Sequence, residues 1–195
     1  MKSVIRHAAL ALVTIGFLSG CASSVTRDAG NQQAGATATA STSKFGTKPV
    51  IVKVTLDAAA QEALKDNLKF SPKKLQEQIE NALYARKLLA KADSTDAMQL
   101  NVEVTGIRVR SSFSAVMFGF MAGSDYVDGT VTLVDTDNRQ VDRFKVSASY
   151  ALGGIAGMDG TRMDWLYENF TEKTLSTLDP SAGAQQADAA HEKKL

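Results

Sequence analysis

The chain has 195 residues, a length that suggests one domain with appendages. Lys and Arg number 22 against 21 Asp and Glu, and this balance argues against a nucleic-acid binder, whose footprint would be a clear basic excess. A single cysteine, Cys21, excludes an internal disulfide and a cysteine zinc cluster, and the two histidines, His7 and His191, lie near the chain ends.

The amino terminus reads as an address. Lys2 and Arg6 precede an apolar run from Ala8 to Leu18, broken only by Thr14 and Gly16. The run is too short to span a bilayer, which takes about 20 residues, but it suits the apolar core of a signal peptide. It ends in Leu18-Ser19-Gly20-Cys21, which resembles the lipobox of bacterial lipoproteins. Small residues before the cysteine let a peptidase reach the backbone, and the thiol is the nucleophile that takes a diacylglycerol. The resemblance implies a signal peptide over residues 1–20 and acyl chains on Cys21, an anchor to which each buried CH₂ contributes about 0.8 kcal/mol. Ala22 follows, not Asp. By resemblance to Gram-negative lipoproteins, this implies delivery to the outer membrane with the body facing the periplasm. Loss of Lys2 and Arg6 leaves 20 basic against 21 acidic side chains, so lipid rather than charge would hold the body to the membrane.

Residues 21–48 are dominated by Ala, Ser, Thr, Gly and Gln, with Val25 and Phe45 almost the only large apolar side chains. Such a stretch cannot bury enough surface to offset its ordering entropy. It reads as a flexible tether spanning about 30 Å on average, with a docked helix over the Ala-rich part as the alternative. Residues 180–195 have a similar composition and read as a disordered tail. Residues 49–179 remain as one globular domain, large enough for one core.

Within it, Val50, Val52, Val54 and Leu56 alternate as one apolar strand face. Asp57 suits the cap of a short helix over Ala58–Leu64, and Ser71-Pro72 the start of a second, with Leu75, Ile79, Ala82, Leu83 and Leu89 as its apolar stripe. Met98, Leu100, Val102 and Val104 begin a second strand, and a bulge at Gly106 would bring Ile107 and Val109 onto the same face. Val127, Gly129, Val131 and Leu133 form a third strand, Asp135–Asn138 a hairpin turn, and Phe144, Val146, Ala148 and Tyr150 a fourth strand. A last helix follows, with Met163, Leu166, Tyr167, Phe170 and Leu178 on one side and Leu175 at its margin; Thr161 and Asp164 have capping-box spacing. The predicted class is α+β: a two-layer α/β sandwich of order β-α-α-β-β-β-α, with helices on one face of a four-stranded mixed sheet.

Four features resemble an uncharacterised family of bacterial lipoproteins, a domain of unknown function: the strand end Val102–Arg110, the small and apolar Met121-Ala122-Gly123-Ser124, the strand Gly129–Asp135 and the return strand Val146–Ser149. The resemblance covers Pro49 to Leu178. At fold level, the strand order is also similar to periplasmic modules of trans-envelope machines, such as those of the Tol system and of curli secretion. That likeness implies docking on an envelope assembly and transfers no residue roles.

Residues 49–179 hold no His and no Cys, which excludes Ser-His and Cys-His nucleophilic sites and a His-ligated metal there. The acids from Asp125 to Asp164 leave a carboxylate-dependent envelope hydrolase formally open, but they read as turn and cap residues. Asp135–Gln140 lacks the glycine of a calcium loop, and Gly153–Gly157 lacks the Lys-Ser/Thr of a phosphate loop. Weak anion binding by Arg162 at the start of the last helix stays open. No cofactor, no metal and no catalysis are expected.

The segment from Phe113 to Gly123 is unusual for a connection between strands, because it carries Phe113, Met117, Phe118, Phe120 and Met121. It is either a flap on the core or an exposed apolar surface for a partner or lipid. In an antiparallel meander it leaves the sheet at the same edge as residues 151–160, which carry Ile155 and Met158. These seven side chains are the candidate contact residues. The expected function is that of a non-catalytic, outer-membrane-anchored component of an envelope assembly, with a protein partner. Binding of a lipid or small apolar ligand is the alternative.

Overall fold

The computed structural model describes residues 23–27, 42–91, 93–110, 123–150 and 159–180. The elements are β1 (Ser23–Thr26), β2 (Val50–Leu56), α1 (Ala58–Leu64), α2 (Pro72–Ala85), β3 (Met98–Arg108), β4 (Asp125–Val134), β5 (Gln140–Tyr150) and α3 (Asp159–Leu178). They build one open mixed sheet of order β1-β5-β4-β3-β2. Strands β2 and β3 run parallel, as the intervening helices require, and the other neighbours are antiparallel.

Local chemistry sets the boundaries much as the sequence implies. The Asp57 carboxylate accepts the Ala60 N–H at 2.7 Å and starts α1. Ser71 caps α2 through the Lys74 N–H, with Pro72 first in the helix. In β3 the register shifts between Val104 and Gly106, so Thr105 is the extra residue of a bulge. Met98, Leu100, Val102, Val104 and Ile107 are therefore all buried, although Ile107 is out of step with simple alternation. The other sheet face is polar: Lys53, Thr55, Asn101, Glu103, Thr132 and Arg143 line one open hollow on it.

Two boundaries and two side-chain placements differ from expectation. Helix α2 stops at Ala85, because Lys87 takes a left-handed φ of 60° without a glycine to announce it. Leu89 then leaves the helical stripe and forms a parallel bridge with Val50 at the outer edge of β2. Helix α3 begins at Asp159, so Thr161 stands inside its first turn, and Leu175 is fully buried instead of marginal.

The largest correction is the strand count. The sheet has five strands, not four, and the fifth comes from the stretch that composition marks as a tether. Ser23–Thr26 pairs antiparallel with β5, from Ser23 opposite Ala148 to Thr26 opposite Lys145. Val25 packs against the core. The Arg27 guanidinium lies 5.5 Å from the Phe144 ring centroid and 3.1 Å from Asp142. Farther along, Phe45 is buried in the core, and the Lys44 N–H caps the far end of α3 by donating to the Leu178 carbonyl at 2.7 Å. An unpaired sheet edge supplies what these polar residues lack, since a ladder needs backbone groups and not apolar side chains.

Asp142 fastens this segment, because it binds both Arg27 and Lys44. Burial alone would raise its pKa, but hydrogen bonds and charge from Arg27 and Lys44 outweigh that and hold it below the usual carboxylate range. Its contribution is therefore fully present above the unfolded pKa of about 3.9 and is lost as pH falls through the depressed folded value. Because the partners are exposed, Asp142→Asn is expected to cost at most about 1 kcal/mol overall. Its visible effect is local: faster amide exchange in β1 at neutral pH, with little change in β3 and β4. Unchanged β1 protection would show that the ladder holds without this carboxylate.

Candidate functional site

The ends of three strands and the start of α3 meet at one edge of the sheet. Tyr126 lies opposite Arg108 and Asp125 opposite Tyr150, so β3 ends, β4 begins and β5 ends there. The segment from Phe113 to Met121 runs between the first two of these points, and Ile155 and Met158 lie between Tyr150 and α3. Those seven candidate contact residues, and Cys21, lie outside the described residues. Their stems are described, and antiparallel pairing does bring both pairs of stems to the same edge.

The stems are held by a buried ion network that sequence reasoning missed. Asp125 is fully buried, with Arg110 and Arg162 5% and 4% exposed. One carboxylate oxygen of Asp125 accepts the Arg110 backbone N–H at 2.6 Å and its Nε–H at 3.2 Å. The other accepts Arg110 Nη2 at 3.2 Å and Arg162 Nη1 at 3.0 Å. Arg110 Nη2 also donates to the Tyr150 carbonyl at 3.3 Å, and Arg162 Nη2 to the Arg110 carbonyl at 3.1 Å. Four donors fill the roughly four acceptor positions of an ionised carboxylate. Both oxygens are thus engaged by donors of the chain itself. The network ties the continuation of β3 to β4, β5 and the first turn of α3.

Sequence did contain a signal for it. Asp125 occupies the same alternating face as Val127, Gly129, Val131 and Leu133. A carboxylate on a buried face requires a charged partner, and Arg162, read as a candidate anion binder, is one of the two. Nearby packing completes the edge. Tyr150 meets Trp165 edge-on with centroids 5.2 Å apart. Gly123, at φ +82°, leaves room for the Arg108 guanidinium, which a Cβ would approach to 2.8 Å.

The α1–α2 turn closes the edge on the helical side. Asn67 Oδ1 accepts the Val109 N–H at 2.6 Å, directly beyond β3. The Tyr167 hydroxyl accepts the Ser71 N–H at 2.8 Å. Burial pushes that hydroxyl above the usual tyrosine range despite this bond, with nearby Asp164 adding to the rise. On the polar sheet face, a second open hollow is lined by Ser24, Thr26, Thr105, Asp128, Lys145 and Ser147. Among the described residues, no cluster of three or more His, Cys, Asp or Glu is arranged to hold a metal, and no helix is long and apolar enough to cross a membrane.

No curated protein sequence matches the chain. Among solved structures, it is similar to the PelC dodecamer from Paraburkholderia phytofirmans, at 16% identity over 81% of this chain and 98% of that one, with a TM-score of 0.44. It is also similar to a Xanthomonas campestris protein of the DUF330 family, at 12% identity over 75% and 90% of the two chains, TM-score 0.43. A third, named as a candidate lipoprotein of Caulobacter crescentus CB15, has 16% identity over 69% and 91%, TM-score 0.35. These comparisons do not show the fold-level likeness to Tol-type and curli-secretion modules. Residues 32–154, more than half of the chain, match the family described as Domain of unknown function (DUF4410), and the chain belongs to that family.

Proposed function

We propose that this chain is a lipid-anchored envelope protein that works by contact and carries out no catalytic step. Cys21 bears the acyl chains, the outer membrane receives them, and the body faces the periplasm. A protein partner in the envelope docks at the sheet edge defined by the stems of the two Phe- and Met-bearing segments.

One observation carries this reading. Strand β1 begins at Ser23, two residues after Cys21, and pairs with Lys145 to Ala148 in the second half of β5. Two residues of chain reach at most about 7 Å. An acyl group on Cys21 is thus held close to the edge where both candidate segments leave the sheet, on a short leash in place of a 30 Å tether. The saturated Asp125 carboxylate at that edge supports a scaffolding role for it.

Membrane fractionation tests the anchor. Cys21→Ala is expected to move most of the protein from the membrane to the freely diffusing fraction, since two or more acyl chains supply the stable anchoring. A variant that still sediments with membranes refutes the anchor.

A further inference from the structure

The same edge carries the most exposed large apolar side chain among the described residues. Leu68, in the turn between α1 and α2, is 84% exposed, while Phe70 two positions on is buried at 3%. Asn67 fixes this turn beside Val109, level with the strand ends. From β1 to β3 is three strand spacings, about 14 Å. Leu68 therefore stands on the side of the molecule from which the chain runs back to Cys21. The other exposed apolar residues, Tyr84 at the end of α2 and Val141 at the start of β5, lie at the opposite end.

The turn's polar chemistry is that of a lipid–water interface. Lys65, Lys69, Lys73 and Lys74 flank Leu68 in the sequence and are all exposed. Three acids stand among them, Glu62, Asp66 and Glu77, with Glu62 bound to Lys65 at 2.6 Å and Glu77 near Lys73 at 3.6 Å. The stretch 62–77 is left with one excess positive charge. Long lysine stems lie along apolar surface while their ammonium groups reach phosphate and water. An exposed apolar residue with lysines on both sides in the chain thus fits a phospholipid headgroup layer.

We infer that Leu68 and these lysines form a second, reversible contact with the phospholipid leaflet that holds Cys21. This contact sets the α1–α2 turn on lipid and leaves the strand ends beside it to the protein partner. The inference rests on the anchor proposed above.

The test uses the full chain, purified from membranes and reconstituted in vesicles of phosphatidylethanolamine and phosphatidylglycerol that contain brominated lipid. Leu68→Trp and Tyr84→Trp are compared in a Trp165→Phe background, and the mass of the amino-terminal peptide is measured on the same samples. The expected result is an acylated peptide, at least twofold quenching of the indole at position 68, and none at position 84. Equal quenching at both positions, or none at either, with an acylated peptide overturns the lipid contact and leaves the anchor standing. An unmodified peptide overturns both. A second measurement keeps Trp165: trypsin cleavage after Lys69 is expected to be several-fold slower on vesicles than in detergent, and Leu68→Glu to abolish that difference. Equal cleavage of the unsubstituted chain in both media overturns the contact.

Discussion

Asp125→Asn is expected to cost about 3–5 kcal/mol of stability, the range for breaking a buried ion pair from one side. Asparagine keeps the shape but removes the charge and turns two amide hydrogens toward Arg donors. Two guanidinium groups, 5% and 4% exposed, would then lose the carboxylate that they share. A domain holds only about 5–15 kcal/mol in total, so the change takes a large share. Urea unfolding checks it, with Asp137→Asn as control. Asp137 pairs with Arg139 in the exposed hairpin at 2.8 Å, and its loss is expected to cost well under 1 kcal/mol. A loss below about 1 kcal/mol for Asp125→Asn would mean that water reaches the network. Because the network around this carboxylate joins four chain segments, amide exchange is also expected to rise first at the ends of β3, β4 and β5.

Phe170→Ala is expected to cost about 3–5 kcal/mol by the loss of a fully buried ring. The ring lies over Gly129, where a Cβ would meet Phe170 Cζ at 3.0 Å. The missing side chain of β4 and the large one of α3 thus form one fitted contact. Gly129→Ala should cost about 1–3 kcal/mol in the unsubstituted chain and less in the Phe170→Ala background, because sites in contact do not add. Relief is expected to be partial, since the Glu103 carbonyl would still lie 3.1 Å from the new Cβ. Strict additivity in thermal or urea unfolding would contradict the contact.

Elements set by side-chain pattern were legible in the sequence. The alternation in β2 to β5, the Asp57 cap, the Ser71-Pro72 start and the bulge beside Gly106 all depend on residues near each other in the chain. Elements set by long-range pairing were not. Strand β1 has one apolar residue, Val25, and depends on the open edge of β5 more than 100 residues away. Leu89 continues a helical spacing, yet the left-handed Lys87 ends the helix first. Of the candidate site, the shared edge was readable from topology, and its ion network was hidden because Asp125 looks like a turn residue beside Ser124. The apolar contact residues from Phe113 to Met121, with Ile155 and Met158, are placed only through their stems.

Strand β1 changes what the anchor does. On a long flexible leader, the body would sample many orientations, whereas a strand starting two residues from the proposed acylation site would favour one. The mass of the amino-terminal peptide of protein purified from its native cells tests this most directly. The predicted result is a peptide that starts at Cys21 and carries diacylglycerol on its sulfur. A peptide that reads through Leu18-Ser19-Gly20 into an unmodified Cys21, from protein recovered outside the membrane fraction, would contradict it.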